Sequence, residues 1–153
     1  MAPLSYQEAF SYSLKLLSGR QYSETALLEK LRGKGCSAEV SEEVAAKLKE
    51  LNLLNDRAFA EAVAQDLARF KPSGRRRVKS VLKKRKVSEV IASDVAAKIG
   101  NEEEVERAKE LALKYEVKWA ALPKMRRIKR IYDLLVRRGF DFELCRQVIE
   151  EIR

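Results

Sequence analysis

An internal repeat constrains the fold of this chain more than any other feature of its sequence. When Leu31, Leu82 and Leu135 are placed in register, the copies lie 51 and 53 residues apart, and seven template positions keep the same class of residue. Besides these leucines, the matching positions are Leu27, Val78 and Ile131; Lys34, Arg85 and Arg138; Ser37, Ser88 and Asp141; Val40, Ile91 and Leu144; Val44, Val95 and Val148; and Leu48, Ile99 and Ile152. Accidental periodicity does not give agreement at so many positions, so we interpret the chain as a tandem array.

Apolar residues recur at spacings of three and four between the chain's six glycines and three prolines. This spacing is typical of amphipathic helices, and alternating strand patterns are hard to find, so the fold class is predicted to be all-α. Helix starts are predicted at two capping boxes, Ser5 with Glu8 and Asn101 with Glu104, and at single N-cap residues. The single N-cap residues are Ser37, Asn55, Ser88 and Asp141.

Each copy of the template contains two helices around a basic or glycine-bearing turn, and each leaves room for one preceding helix. We therefore predict three tandem three-helix (helix-turn-helix-like) repeats over residues 1–53, 54–100 and 101–153. A module of about fifty residues buries its apolar faces poorly by itself. The repeats are therefore expected to dock against one another in an elongated array.

What the sequence lacks excludes several classes of protein. Histidine is absent, which rules out mechanisms that need an imidazole base or ligand. Cys36 and Cys145 are far apart, and we expect them to fill apolar positions in a reducing compartment. No apolar run approaches the ~20 residues that span a bilayer, and residues 1–20 do not resemble a signal peptide. We predict a monomeric cytoplasmic protein that is not an enzyme, holds no cofactor and binds no membrane.

The net charge of +9 is concentrated in two windows of the chain. Residues 69–86 contain ten bases and no acid, and residues 124–138 contain seven bases and one acid, so the windows carry +10 and +6. The rest of the chain is acidic, with a net charge of −7. Both windows fall on the middle helix of a repeat, the second and the third, whereas the counterpart in the first repeat, residues 23–35, carries only +1.

Helix geometry places the bases of both middle helices opposite the apolar stripe, and repetition is expected to set the two faces side by side. A merely solvated helix face is the alternative, but the ten bases of residues 69–86 include like charges three and four residues apart, which repel, and the same helix offers no acidic partner. We therefore predict binding to an anionic surface, which is DNA phosphate, acidic patches of a protein filament, or both. The candidate binding residues are Arg75, Arg76, Arg77, Lys79, Lys83, Lys84, Lys86, Lys124, Arg126, Arg127, Lys129, Arg130, Arg137 and Arg138.

A helix-turn-helix protein that reads base sequence fits this chain poorly. The last helix of each repeat begins with acids, which would face DNA phosphates badly. The bases lie on the preceding helices, which favours contact with a backbone without sequence reading. Phe70, Tyr115 and Trp119 are scattered, and we predict that they belong to the core rather than to a stacking platform for single strands.

Four motifs follow one another along the chain. They are Arg20-Gln-Tyr-Ser-Glu-Thr-Ala-Leu-Leu-Glu-Lys-Leu31 with Lys34-Gly35, Leu54-Asn-Asp-Arg-Ala-Phe-Ala60, Gly74-Arg-Arg-Arg-Val78, and Leu135-Val-Arg-Arg-Gly-Phe140. Together they resemble the RecX family of recombinase regulators over nearly the whole chain. Asp56, within the second motif, is interpreted as a helix-start contact. One departure is Lys86, where the family usually has a glycine, so we expect the turn at this position to be built differently.

The resemblance implies a small all-helical protein of three tandem three-helix repeats that binds the RecA recombinase. Members of this family lodge in the helical groove of the RecA–DNA filament, lower its ATPase and strand-exchange activities, and limit filament growth. The resemblance thus implies the RecA filament as the partner, with direct or indirect contact with DNA. The charge pattern by itself leaves open a sequence-nonspecific DNA-binding protein without a recombinase partner.

Overall fold

The computed structural model describes residues 2–153, and within that range the chain forms nine α-helices and no strand. The helices are α1 (Tyr6–Gly19), α2 (Glu24–Gly33), α3 (Ala38–Glu50), α4 (Asp56–Phe70), α5 (Arg75–Lys84), α6 (Glu89–Ala97), α7 (Asn101–Lys118), α8 (Lys124–Arg137) and α9 (Phe142–Ile152). They pack mainly in consecutive groups of three, since α1–α3, α4–α6 and α7–α9 each make mutual contacts. The prediction of an all-α tandem helical array is confirmed.

Side-chain caps start several of these helices where the sequence predicted them. Ser5 and Glu8 form the capping box of α1, because each side chain accepts a hydrogen bond from the other residue's main-chain N–H. The side chains of Ser37, Asn55 and Ser88 each accept a hydrogen bond from the N–H three residues later. These bonds satisfy N–H groups that have no partner inside the first turn of a helix.

The helices of the third repeat begin differently. The capping box predicted for Asn101 and Glu104 is wrong, because α7 has Gly100 as its N-cap and no side-chain cap. The Glu104 carboxylate lies instead 3.1 Å from the Arg75 guanidinium, which draws it away from the start of its own helix. Asp141 is the N-cap of α9, as predicted, although its side chain accepts no capping hydrogen bond.

The apolar positions of the repeat template form the core. Each of the six residues at the first two template positions is at most 1% exposed, which confirms the register of the three copies. They are Leu27, Leu31, Val78, Leu82, Ile131 and Leu135. Three hydrophobic clusters surround them, one in each group of three helices. Full burial of such side chains stabilises the fold by about 1.5–3 kcal/mol each.

The cysteines and aromatic residues test the predicted core further. Cys36 and Cys145 are buried free thiols, and burial raises the pKa of the Cys145 thiol to about 11. Tyr115 and Trp119 are partly buried against the third cluster, as predicted. The prediction for Phe70 is wrong, since it is 75% exposed. Phe70 is the last residue of α4, where the chain leaves the helix and no neighbouring element covers the ring.

The turns after the three middle helices have the same backbone conformation. Gly35, Lys86 and Gly139 all have positive φ, at 94°, 65° and 82°. In each turn the next residue's N–H donates to a carbonyl five residues earlier, at 3.0 Å from Cys36, 3.1 Å from Val87 and 3.2 Å from Phe140. The expectation that the middle turn is built differently is therefore wrong. The hydrogen bonds and the buried residue that follows hold Lys86 in a left-handed conformation that favours glycine.

Replacing Lys86 with glycine is expected to raise the free energy of unfolding by about 0.5–1 kcal/mol. Relief of the left-handed strain, about 1–2 kcal/mol, outweighs the added freedom of glycine in the unfolded chain. Urea titration followed by circular dichroism measures the change. Lys79→Gly, in the middle of α5, is the matched control and should lower the free energy of unfolding by about 1 kcal/mol. Equal destabilisation by both substitutions would contradict the prediction.

Repeats two and three are joined by main-chain hydrogen bonds between a helix start and a turn. The N–H of Gly74 donates to the carbonyl of Arg138 at 2.7 Å, and the N–H of Arg76 donates to the carbonyl of Gly139 at 3.2 Å. A Cβ on Gly74 would lie 2.4 Å from the Gly139 oxygen, and a Cβ on Gly139 would lie 2.2 Å from the Arg77 nitrogen. This close approach therefore requires glycine on both sides.

The equivalent junction between repeats one and two is open. In template register, Ser23 takes the place of Gly74 and Lys86 that of Gly139, and among the described residues no main-chain hydrogen bond joins the start of α2 to the turn at Lys86. Their contact is made by side chains: the Asp56 carboxylate accepts a hydrogen bond from the Glu24 N–H at 2.8 Å. Asp56 is thus a helix-start contact, made to the first turn of α2 from the neighbouring repeat.

Candidate anion-binding surface

The first turns of the helices separate α5 and α8 from the other elements. Seven of the nine helices within residues 2–153 carry an acid in the first turn, which complements the positive end of the helix dipole. α5 and α8 carry no acid there and begin with bases. Such bases oppose the helix dipole by about 0.3–1 kcal/mol each. The bases at the starts of α5 and α8 therefore lower the stability of these helices, and both helix starts present positive charge.

Seven of the fourteen predicted binding residues form an exposed set, which we call the basic surface. The set is Arg76, Lys84, Lys124, Arg126, Lys129, Arg130 and Arg137. Within the described part of the chain, none of them has an acidic side chain within 4.0 Å. Their charges are therefore available to an external anion.

The outward orientation predicted for Arg75 does not hold. Its guanidinium donates a hydrogen bond to the Ile99 carbonyl at 3.0 Å and another to the Asn101 side chain at 2.7 Å, and it lies 3.1 Å from the Glu104 carboxylate. Burial raises the pKa of Glu104, and the nearby Arg75 charge opposes that rise. Arg75 therefore links the start of α5 to the loop before α7 and to α7 itself.

Two further predicted residues are held by groups of their own protein. The side chain of Arg127 is 17% exposed, donates to the Leu122 carbonyl at 2.9 Å and lies 3.2 Å from the Glu116 carboxylate. Arg138 donates to the Pro72 carbonyl at 3.1 Å, across the junction of repeats two and three. Burial lowers the pKa of the Arg138 guanidinium. Both arginines therefore stabilise the fold, and the sequence alone gave no sign of their partners.

The remaining predicted residues occupy intermediate positions. Lys79 and Lys83 lie 3.8 and 3.4 Å from the Glu89 carboxylate, and Lys86 pairs with Glu29. These pairs are exposed, where an ion pair contributes only about 0–1 kcal/mol. The lysines can therefore exchange their acidic partner for another anion. Arg77 is partly buried, and its Nε atom is buried without a hydrogen-bond partner.

The two cationic helices meet at their ends. The hydrogen bonds of Gly74 and Arg76 to the turn after α8 bring the start of α5 against the end of α8. Along their lengths α5 packs on α4 and α6, whereas α8 packs on α7 and α9. The expected side-by-side arrangement is therefore wrong, because the glycine-mediated junction fixes an end-to-end contact. Bases from both sides converge there: Arg76 and Arg77 from α5, Arg137 at the end of α8, and Arg138 directly after it.

Aromatic rings hold two arginines of the basic surface in place. The Arg76 guanidinium lies 4.9 Å from the centre of the Phe142 ring, and the Arg130 guanidinium lies 4.7 Å from the centre of the Trp119 ring. Cation–π contacts of this kind stabilise an exposed pair by about 0.5–1 kcal/mol. They restrict the arginine side chain and leave its charge uncompensated, so less ordering is needed when an anion binds.

The chemistry of this surface is that of charge recognition. The described residues contain no group of three or more Asp, Glu or Cys side chains placed to hold a metal ion. None of the helices between residues 2 and 153 has the length and apolar character needed to cross a membrane. Exposed guanidinium and ammonium groups on the middle helices of two successive repeats can bind phosphates or carboxylates, and they present no fixed pattern for reading base edges.

Three family models match the chain, one in each group of three helices. RecX, first three-helix domain, matches residues 9–48, RecX, second three-helix domain, matches residues 55–95, and RecX, third three-helix domain, matches residues 102–149. Together these matches cover most of the chain.

Similar proteins carry the same name. Regulatory protein RecX of Chlorobaculum tepidum is 32% identical over 142 residues, which cover 93% of this chain and 86% of that protein. Regulatory protein RecX of Chlorobium limicola is 34% identical, over 99% of this chain and 94% of that protein. The crystal structure of RecX from Lactobacillus salivarius shares the fold, with a TM-score of 0.86, 23% identity and 95% of each chain covered.

Proposed function

The chain belongs to the RecX family, and from that premise we propose that it binds the filament formed by RecA on DNA. There it inhibits the ATPase and strand-exchange activities of RecA and limits filament growth. A regulatory role follows from the family, whose members in Chlorobaculum tepidum and Chlorobium limicola are named regulatory proteins. The proposal adds the partner, the direction of the effect and the surface that makes contact.

The end-to-end junction of α5 and α8 is the observation that carries this proposal. Two cationic helices, each starting without an acid, are joined at their ends by main-chain hydrogen bonds from Gly74 and Arg76 to the turn at Gly139. A filament presents repeating charge along its length, and a row of bases on a rigid pair of repeats matches such a surface over several contacts. A compact anionic ligand would need only one of the two helices.

The acidic remainder of the chain supports a defined partner. A net charge of −7 outside the two basic windows repels polyanions and directs most of their attraction to the windows that contain α5 and α8. The proposal also includes a monomeric, non-enzymatic regulator in the cytoplasm, where it would have access to RecA and DNA. Contact of the basic surface with DNA phosphate inside the filament is part of the proposal.

The second candidate function is nonspecific DNA binding without a recombinase partner. The exposed bases without acidic partners favour it, since such a surface binds phosphate whether or not RecA is present. Salt titration distinguishes the two: affinities for bare DNA and for a preformed RecA–DNA filament are measured by fluorescence anisotropy over a series of salt concentrations, together with RecA ATPase. The filament should bind more tightly and its ATPase should fall. Equal affinity with unchanged ATPase at saturation would overturn the leading proposal.

A further inference from the structure

An open groove of about 540 Å³ lies between repeats one and two. One face of α2, including Ala26 and Gly33, forms its floor, and a Cβ placed on Gly33 would meet nothing within 4 Å. Tyr12 and Tyr22 border it on the side of repeat one, and the turn that contains Lys86 borders it on the side of repeat two. The groove is separate from the α5–α8 junction, because it is lined by the end of α5 at Lys84 whereas the junction lies at the start of α5.

The groove is open because of the residues at the junction between repeats one and two. Repeats two and three close because Gly74 and Gly139 allow main-chain contact, with no room for a Cβ on either side. The corresponding residues here are Ser23 and Lys86, and each carries a Cβ that prevents the same approach. The space that a glycine pair fills between the later repeats therefore stays open between the first two.

The lining of the groove is strongly cationic. Six bases face one acid, Glu29, which pairs with Lys86 across the opening. The bases are Arg20, Lys30, Lys34, Lys84, Arg85 and Lys86. Cations are expected at helix C-termini, but the ends of α2 and α5 supply only about half a negative charge each. Together with Glu29 they leave several positive charges uncompensated.

Two of these bases lie over the tyrosine rings. The Arg20 guanidinium is 4.7 Å from the centre of the Tyr22 ring, and the Lys34 ammonium is 5.3 Å from the centre of the Tyr12 ring. The contacts hold a cation at the rim of the groove on the side of repeat one. Lys84, Arg85 and Lys86 stand on the opposite side.

We propose that this groove binds the phosphate groups of a nucleotide, either free or within a single strand, and that the ligand bridges repeats one and two. Its volume lies in the range of small-ligand sites, about 300–1,000 Å³. A groove of this size is too small to hold a duplex. Phosphate oxygens accept hydrogen bonds from guanidinium and ammonium groups on both sides. The tyrosines hold Arg20 and Lys34 at the rim, where these two cations can meet the phosphates. Lys86 then exchanges Glu29 for a phosphate.

Nuclear magnetic resonance of the whole chain locates the ligand, because the amide of Gly33 reports on the groove floor. The probes are ATP, a short oligothymidylate and polyglutamate, titrated separately at low salt. Both phosphate ligands should shift the Gly33 amide, and tighter binding of the oligonucleotide would identify the single strand as the source. Comparable binding by ATP would identify a free nucleotide. A stronger shift with polyglutamate, or no shift with either phosphate ligand, would overturn the proposal.

Two variants test the charges. The triple variant Lys30→Gln, Lys34→Gln and Arg85→Gln should weaken binding at the groove by about tenfold. It should also reduce the slope of log affinity against log salt concentration by about 2. Glu29→Gln should strengthen it severalfold, because it removes the competing carboxylate. The control with the same change of charge is Lys47→Gln, Lys109→Gln and Arg146→Gln, which lie in exposed ion pairs elsewhere. Equal weakening by test and control would overturn the proposal. RecA is absent from these measurements, so their failure leaves the proposed function untouched.

Discussion

Replacing Gly139 with alanine is expected to lower the free energy of unfolding by about 3 kcal/mol or more, among the large effects of single substitutions. Two causes act together. Gly139 has a φ of +82°, which costs an alanine about 1 kcal/mol. A Cβ there would also lie 2.2 Å from the Arg77 main-chain nitrogen, so the start of α5 must move. Urea titration followed by circular dichroism measures the loss.

Two glycine variants separate these causes. Gly74→Ala meets the same junction from the other side, with a Cβ 2.4 Å from the Gly139 oxygen, but Gly74 has an ordinary φ of −83°. Its destabilisation therefore reports the steric contact alone. Gly33→Ala is the control: it has open space around its Cβ and lies in α2, so it should raise the free energy of unfolding by about 0.5–1 kcal/mol. A loss below 1 kcal/mol for Gly139→Ala would show that the junction is not rigid.

The core of each repeat was predictable from sequence because its cause is local. Helical periodicity determines which residues share a face. Because the pattern occurs three times, each core position is predicted from three copies of the sequence. Leu31, Leu82 and Leu135 are accordingly all fully buried. The serine caps at Ser37 and Ser88 were predictable for the same reason, since the bond that forms each cap spans only three residues.

The partners of individual bases were not predictable, because they come from distant parts of the chain. Arg138 reaches the carbonyl of Pro72, 66 residues away in sequence. The partner of Arg75 is Glu104, which had a plausible local use in a capping box. A charge count treats these arginines like Arg126, which is exposed. Only the docking of one repeat on the next separates the bases that stabilise the fold from those that face solvent.

The turn at Lys86 shows the opposite limit of sequence reasoning. Its lysine predicted a different backbone, because a left-handed conformation disfavours any residue with a Cβ. The surrounding hydrogen bonds and the buried residue Val87 impose the common turn nevertheless. The lysine instead affects the contact between repeats one and two, because its Cβ prevents the close approach that Gly139 allows between the later repeats. Because Ser23 also replaces the other glycine of the pair, two differences in the template together change how the repeats meet.

Neutralising four residues of the basic surface is expected to reduce affinity for the RecA–DNA filament by about tenfold or more at ~100 mM salt, because each lost base removes a phosphate contact. Each lost contact also lowers the slope of log affinity against log salt concentration. The substitutions are Lys124→Gln, Arg126→Gln, Lys129→Gln and Arg137→Gln, all at exposed residues without an acidic partner. Inhibition of RecA ATPase should fall in parallel. The melting temperature should stay close to that of the parent, because none of the four supports a packed contact.

A second set of four substitutions distinguishes a defined surface from net charge. Lys47→Gln, Lys109→Gln, Arg146→Gln and Arg153→Gln remove the same charge from exposed ion pairs outside α5 and α8. They should leave filament affinity within about twofold of the parent, because each of these charges is already paired with an acid and salt at ~100 mM screens exposed charges that make no direct contact. Equal losses in both sets would mean that the filament senses only total charge. Loss confined to the first set would tie inhibition to the bases on α8, the helix whose end is fixed against α5 by the glycine junction.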